Sequence, residues 1–261
     1  NKSNSVSEAF NYKASGQKDT NNYIQGWGKI GKELGYNPPR IGLLPDVIQQ
    51  HFPAEYKCST GNISVSNICF LRRGIKQGNN SFINLIADIN GNRNGLNNDN
   101  DIIEYIIRTL DEETFKKLNL GNLYNQFKNV GKQSSFQNFL EYTISDQYKD
   151  YKFYYELLTG KNSILHQNGI ILVIFEYKYF EGNDILDVLC PYFCDIDFTN
   201  ATDVYFAVKY NNIFEPIYLF NKSVTSYTKK FDKNDSKISN IVSQFITNCN
   251  DYICNVLVCF K

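Results

Sequence analysis

The spacing of apolar residues changes once along this chain, and this change constrains the fold more than any other feature. Up to about residue 160, apolar side chains recur at helical intervals, most clearly in residues 100–110. After Ser163 the apolar runs are short, rich in β-branched and aromatic residues, and separated by turns such as Asn211-Asn212. Helices followed by strands predict an α+β fold, in which a helical first half packs on a mainly antiparallel β-sheet in the second half.

The same pattern predicts how the chain divides. Residues 1–22 are polar and lack periodicity, which indicates a flexible or irregular lead-in. The chain has 261 residues, 42% of them hydrophobic, enough for a sizeable core, so we expect one domain over residues 23–261. Its helical part covers about 38–160 and its sheet part about 163–261. Within the tail, residues 236–245 predict a closing helix that is followed by a strand.

The charge balance argues against a nucleic acid as the main partner. The 27 basic side chains equal the 27 acidic ones, and residues 163–220 hold two basic side chains against eight acidic ones. The best candidates for nucleic-acid binding are Arg72, Arg73 and Lys76, although such charges more often belong to a solvated surface. Three phosphate contacts give a salt slope of only about −3, which predicts weak or no direct DNA binding.

The cysteines and histidines indicate neither a disulfide framework nor a metal site. Seven cysteines, an odd number without dense spacing, favour a reducing compartment. Zinc would draw on Cys190 with Cys194, or on the final three cysteines, but their spacing matches zinc knuckles only loosely. Apolar neighbours favour small buried side chains in a strand for the final three. We therefore expect no metal and no cofactor, and no apolar run approaches the roughly 20 residues of a membrane span.

One short motif places a hydroxyl where a hydrolase would place its nucleophile. A cysteine protease holds its thiolate at a helix N-terminus and takes a histidine from a later strand as base. Residues 77–82, which read Gln-Gly-Asn-Asn-Ser-Phe, are similar to the D-G-N-C-L-F element of ovarian-tumour-type deubiquitinases, and residues 205–218 resemble their histidine-bearing strand pair. The resemblance implies a papain-like order of elements.

The departures from that motif remove the chemistry. Gln77, Ser81 and Phe214 stand at the degenerate positions, with serine in place of cysteine and phenylalanine in place of histidine. A serine hydroxyl without a base is not ionised at neutral pH. His51 and His166 offer no obvious substitute, so the sequence predicts no enzyme. We also expect Glu215-Pro216 to end one strand, because proline lacks a donor, and residues 217–220 to start the next one near the sheet edge.

A longer succession of motifs runs through the chain: residues 39–45, Cys58, residues 70–75, residues 80–82, residues 169–176, residues 189–191 and residues 214–218. Their order resembles the amino-half region of the large subunit of the early transcription factor of nucleocytoplasmic large DNA viruses. The resemblance implies a virion protein that acts in the host cytoplasm with a helicase-like subunit and viral RNA polymerase at early promoters.

Two classes of function follow, with a third left open. The first is a non-catalytic scaffold or docking domain of such a viral early transcription factor. The second is a papain-like, ovarian-tumour-type cysteine protease or deubiquitinase domain that is inactive as written. The third is a viral structural protein, which the 19 Tyr and 19 Phe residues leave open.

Overall fold

A computed structural model describes residues 41–57, 68–76, 78–91, 95–128, 133–181, 183–190, 198–221 and 226–258. The lead-in expected for residues 1–22 lies outside these ranges. The α-helices are α1 (Asp46–Gln49), α2 (Ser81–Asn90), α3 (Asp99–Thr109), α4 (Glu112–Lys117), α5 (Asn122–Phe127), α6 (Ser135–Ile144), α7 (Tyr151–Thr159) and α8 (Ser239–Val258). The strands are β1 (Ile41–Leu43), β2 (Ile68–Arg73), β3 (Ile171–Phe180), β4 (Asn183–Leu189), β5 (Asp203–Tyr210), β6 (Ile213–Asn221), β7 (Ser226–Thr228) and β8 (Phe231–Asp232).

The strands form one sheet, in the order β1-β2-β6-β5-β3-β4, with β7 beside β6 and β8 beside β5. Five of the neighbouring pairs are antiparallel: β1–β2, β2–β6, β3–β4, β5–β6 and β6–β7. The hairpin of β5 and β6 turns at Asn211 and Asn212, as the sequence predicts, and Asn211 adopts the positive φ of 52° that such turns need. The α+β class predicted from the sequence is confirmed.

Side-chain caps define the starts of several helices. Asn98 and Asp101 form a capping box at the start of α3, in which the Asn98 carbonyl oxygen of the side chain accepts from the Asp101 N–H. Ser134 caps α6 and Asp150 caps α7 in the same manner. These caps satisfy backbone donors that the first helical turn leaves without a partner, so local sequence fixes where these helices begin.

The chain divides into two compact units. The first consists of the described residues up to Lys76, with Val173–Leu189 and Tyr205–Val242; the second consists of the described parts of Gly78–Leu172 and Cys190–Val204 and of those from Ser243. The first unit holds most of the sheet, and the second holds α2 to α7. The single domain expected for residues 23–261 stays a prediction.

Aromatic side chains fill both cores. In the first unit Phe52 stacks on Phe70, with ring centroids 4.1 Å apart, and lies edge-on to Phe206 at 5.6 Å. In the second unit Phe139 packs 5.1 Å from Phe115 and 5.2 Å from Phe127. Aromatic pairs at these separations add to the stability that burial of their area supplies, so the high Phe and Tyr content has a structural use.

Three expectations about the strands are wrong. The sheet does not begin after residue 163, because β1 and β2 come from the region expected to be helical and lie at one side of the sheet. The strand expected after residue 245 is helical, since α8 continues to Val258. Pro216 does not end a strand, because it lies inside β6 opposite Ala207 of β5. The pairing of β6 with β2 covers Ile217 to Asn221 and does not include Pro216, so it does not need the backbone donor that proline lacks.

The cysteine interpretation also needs correction. Cys249 lies in α8, where its side chain is fully buried, and it forms a disulfide with Cys190 at a Cα–Cα distance of 5.1 Å. It is therefore not an unpaired side chain of a strand. Both cysteines belong to the second unit, in which the bond joins Cys190 to α8. The cross-link closes a sequence separation of 59 residues, which limits the freedom of the unfolded chain.

Candidate functional site

Ser81 is the first residue of α2, as the motif predicts, but its side chain is fully buried. The turn before it is built from Gly78, whose φ of 124° excludes most other residues, and the Gly78 carbonyl accepts from the Ser81 N–H at 3.1 Å. The Asn79 carbonyl accepts from the Lys149 N–H at 2.8 Å. A nucleophile has to reach its substrate, and Ser81 has no surface open to solvent in this structure.

The polar groups around this turn bond to one another. The side-chain amide of Asn80 donates to the Asp99 carboxylate at 2.9 Å, and Asp99 is only 2% exposed in the first turn of α3. A carboxylate in the first turn of a helix also interacts favourably with the helix dipole. The contact joins the starts of α2 and α3. The buried Asp99 carboxylate therefore has a structural partner in Asn80.

Phe214 lies in β6 of the first unit, opposite Lys209 of β5, and is fully buried. Its ring carries no group that could accept a proton, so the position has become part of the core. Ser81 belongs to the second unit. The third degenerate position, Gln77, lies outside the described residues.

The two histidines of the chain have separate surroundings. His51 follows α1 in the first unit, 5.8 Å from the Phe175 ring, and partial burial lowers the pKa of His51. His166 lies in the loop between α7 and β3, where its backbone N–H donates to the Ser163 hydroxyl at 3.0 Å. The two histidines belong to different units.

Arg72 and Glu215 form a buried ion pair, each 1% exposed. Arg72 Nη1 donates to the Glu215 carboxylate across β2 and β6, and its Nε donates to the Leu43 carbonyl of β1 at 3.1 Å. One side chain thus connects three strands. Arg72 cannot reach a phosphate from this position, so it leaves the set of candidate nucleic-acid contacts.

The sequence carries a hint of this pair that spacing alone does not reveal. An arginine in the apolar run of β2 and a glutamate in the apolar run of β6 each indicate a buried charge that needs a partner. The two are 143 residues apart, so only the fold shows that they meet.

The other two basic candidates differ from Arg72. Arg73 is half-buried, and its guanidinium donates to the Tyr218 hydroxyl at 3.0 Å while lying 5.3 Å from the same ring. Lys76 is exposed. The three basic residues therefore do not form one phosphate-binding row, because one is buried and one is held against an aromatic ring.

The hairpin of β3 and β4 in the first unit exposes two large apolar side chains. Phe180 is 62% exposed and Ile185 is 38% exposed. Phe180 pairs with Asn183 and Lys178 pairs with Ile185, so the alternation of strand residues places Phe180 and Ile185 on the same face. This face of the hairpin therefore exposes one aromatic and one aliphatic side chain.

Charged side chains surround that apolar pair. Lys178 bonds to Asp187 and to Glu176, each at 2.8 Å, and Lys209 also donates to Glu176. Burial raises the pKa of Glu176, but the hydrogen bonds from the two lysines outweigh it and hold this pKa below its usual range. Asp184 accepts from the Tyr177 hydroxyl at 2.6 Å. These ion pairs and hydrogen bonds hold the charged side chains of the hairpin in place.

In the part of the chain that the structure describes, no three side chains of His, Cys, Asp or Glu come together as a metal site. Over the same residues, the helices are too short or too polar for any of them to cross a bilayer. Comparison of the chain with protein-family models, with curated proteins and with solved structures gives no match.

Proposed function

We propose that this chain is a non-catalytic docking domain of a viral early transcription factor, acting with a helicase-like subunit and viral RNA polymerase in the virion and the host cytoplasm. The observation that carries the proposal is the full burial of Ser81 at the start of α2. The feature that most resembles a hydrolase is thus part of a packed helix start. The proposed function therefore depends on an exposed surface, and the hairpin of β3 and β4 offers one.

The charge distribution supports protein contacts over DNA contacts. The hairpin, residues 173–189, has four acidic side chains and one basic one, so its net charge is −3 (one minus four). Such a surface repels a phosphate backbone. Of the three candidate DNA contacts, Arg72 already forms a buried ion pair with Glu215. Sequence recognition at promoters is then the task of partner proteins.

Co-purification with defined partners tests the proposal. The full chain is co-expressed with the helicase-like subunit and the RNA polymerase of the same virus, and complexes are isolated through a tag on the chain at about 150 mM salt. We expect both the wild-type chain and the Ser81→Ala variant to bring the partners down equally. A chain that purifies alone, or a complex that forms only with intact Ser81, would contradict the proposal.

A further inference from the structure

The outer edge of β4 offers a row of backbone groups for a further strand. Among the described residues β4 ends the sheet and has β3 as its strand neighbour. Its first three residues, Asn183 to Ile185, are exposed, and so is Asp187. The strand contains neither proline nor lysine nor a bulge, three of the devices with which proteins block an open edge. Its edge is therefore open to β-augmentation.

The side chains on the two faces of β4 determine which kind of strand can pair with its edge. Ile185 and Phe180 present apolar surface on one face, so a partner strand gains by placing an apolar residue beside Ile185. Asp184 and Asp187 are exposed on opposite faces of β4. Opposite charges across neighbouring strands stabilise a pair and like charges destabilise it. The edge thus favours lysine or arginine in the added strand.

The same charges disfavour a second copy of the hairpin. Two β4 strands side by side would bring together two hairpins of net charge −3 each. A basic segment from another protein meets no such repulsion. We propose that β4 binds an extended segment of a partner protein in which apolar residues alternate with lysine or arginine, and that this segment adds to the sheet as a further strand. The inference rests on the proposed docking function and names its surface.

The α1 helix sets the limit of this site. α1 packs against β4 within the first unit, and the last two residues of β4, Val188 and Leu189, are half-buried. The exposed part of the edge is thus about five residues long, Asn183 to Asp187. A strand of that length is common for a docked peptide segment, since globular strands are most often five to six residues long.

Three fluorescein-labelled octapeptides serve as probes. The first alternates lysine and valine, the second alternates glutamate and valine, and the third is the first with a central proline, which removes a backbone donor. Anisotropy titrations of the full chain at about 150 mM salt measure binding. We expect saturable binding of the lysine peptide and at least about tenfold weaker binding of the other two. Equal binding of the glutamate or the proline peptide would overturn the proposal.

Protein variants locate the site. Asp184→Asn with Asp187→Asn removes two charges but keeps an acceptor for Tyr177, and Ile185→Ser removes the apolar contact. Each should weaken binding of the lysine peptide about fivefold or more. The matched controls are Glu112→Gln with Glu113→Gln on α4, where both acids are exposed, and Ile144→Ser, a 61% exposed isoleucine on α6. Controls that weaken binding as much as the hairpin variants would refute the assignment.

Hydrogen exchange separates strand addition from loose adhesion. Bound lysine peptide should slow exchange of the backbone amides of residues 183–187, and slowing elsewhere without slowing there would exclude the edge as the site. Dimerisation of the chain that the Asp variants enhance would show that a second copy is the occupant and would also overturn the proposal.

The two proposals fail separately. If the hairpin variants bind the transcription proteins as wild type does, the β4 edge is excluded as the docking surface and the docking function stands. If the chain binds the lysine peptide but not the transcription proteins, the β4 edge stands as a peptide site and the docking function is excluded.

Discussion

The buried pair of Arg72 and Glu215 gives the most quantitative prediction. Replacement of Arg72 by methionine keeps much of its volume but leaves the Glu215 carboxylate, 1% exposed, without its cation. Breaking a buried ion pair in this way costs about 3–5 kcal/mol of the free energy of unfolding, and the lost bond to the Leu43 carbonyl is part of that cost. Against a total stability of about 5–15 kcal/mol, this is a large fraction.

The double variant Arg72→Met/Glu215→Leu distinguishes a lost ion pair from damaged packing. With both charges removed, apolar side chains fill the site, and the stability should return to within about 2 kcal/mol of wild type. Lys116→Met is the control, because Lys116 forms an exposed pair with Glu112 that is worth only about 0.3–0.5 kcal/mol. Urea unfolding followed by circular dichroism measures all four proteins. A cost below about 1 kcal/mol for Arg72→Met, or a double variant no more stable than the single one, would refute this reasoning.

Three shorter predictions follow from the sites described above. Neither thiol-directed nor serine-directed probes should label Ser81, and ubiquitin and peptide substrates should stay uncleaved; stoichiometric labelling that is lost in Ser81→Ala would contradict catalytic silence. With Arg72 buried, two phosphate contacts remain of the three expected, so gel shifts should show a salt slope of about −2 and equal affinity for early-promoter and scrambled duplexes. Preference for the promoter duplex near 150 mM salt would make the chain a DNA reader. The lowered pKa of Glu176 stabilises the fold above its ordinary value of 4.5, and this contribution is lost as the pH falls through the lowered pKa. In acid titrations of stability Glu176→Gln should therefore lose less than wild type, and an equal loss in both would exclude this contribution.

Local patterns predicted those elements whose ends and faces are marked in the sequence. α3 has isoleucines at helical spacing, of which Ile102 and Ile106 are fully buried, and Asn98 and Asp101 mark its start. The hairpin of β5 and β6 has its two-asparagine turn. In such segments the spacing of apolar residues and the capping or turn residues agree, so tertiary contacts only confirm what local sequence favours.

Elements decided by distant contacts were harder to predict. β2 contains Arg72 and Arg73 in an apolar run, and its strand pairs with β1 and β6 while Arg72 has its partner in Glu215. The end of α8 contains isoleucine and valine, residues that favour strands, yet it is helical. The start of α2 was placed correctly, but burial of Ser81 depends on neighbours that a motif cannot show.

A reconstituted early-transcription assay tests the central claim most directly. Run-off transcription from an early promoter is measured with viral RNA polymerase, the helicase-like subunit and the full chain, either as wild type or as Ser81→Ala. A docking domain without catalysis predicts that transcription depends on the chain and that Ser81→Ala supports the same rate as wild type. Transcription that does not need the chain, or that a correctly folded Ser81→Ala protein fails to support, would contradict the account.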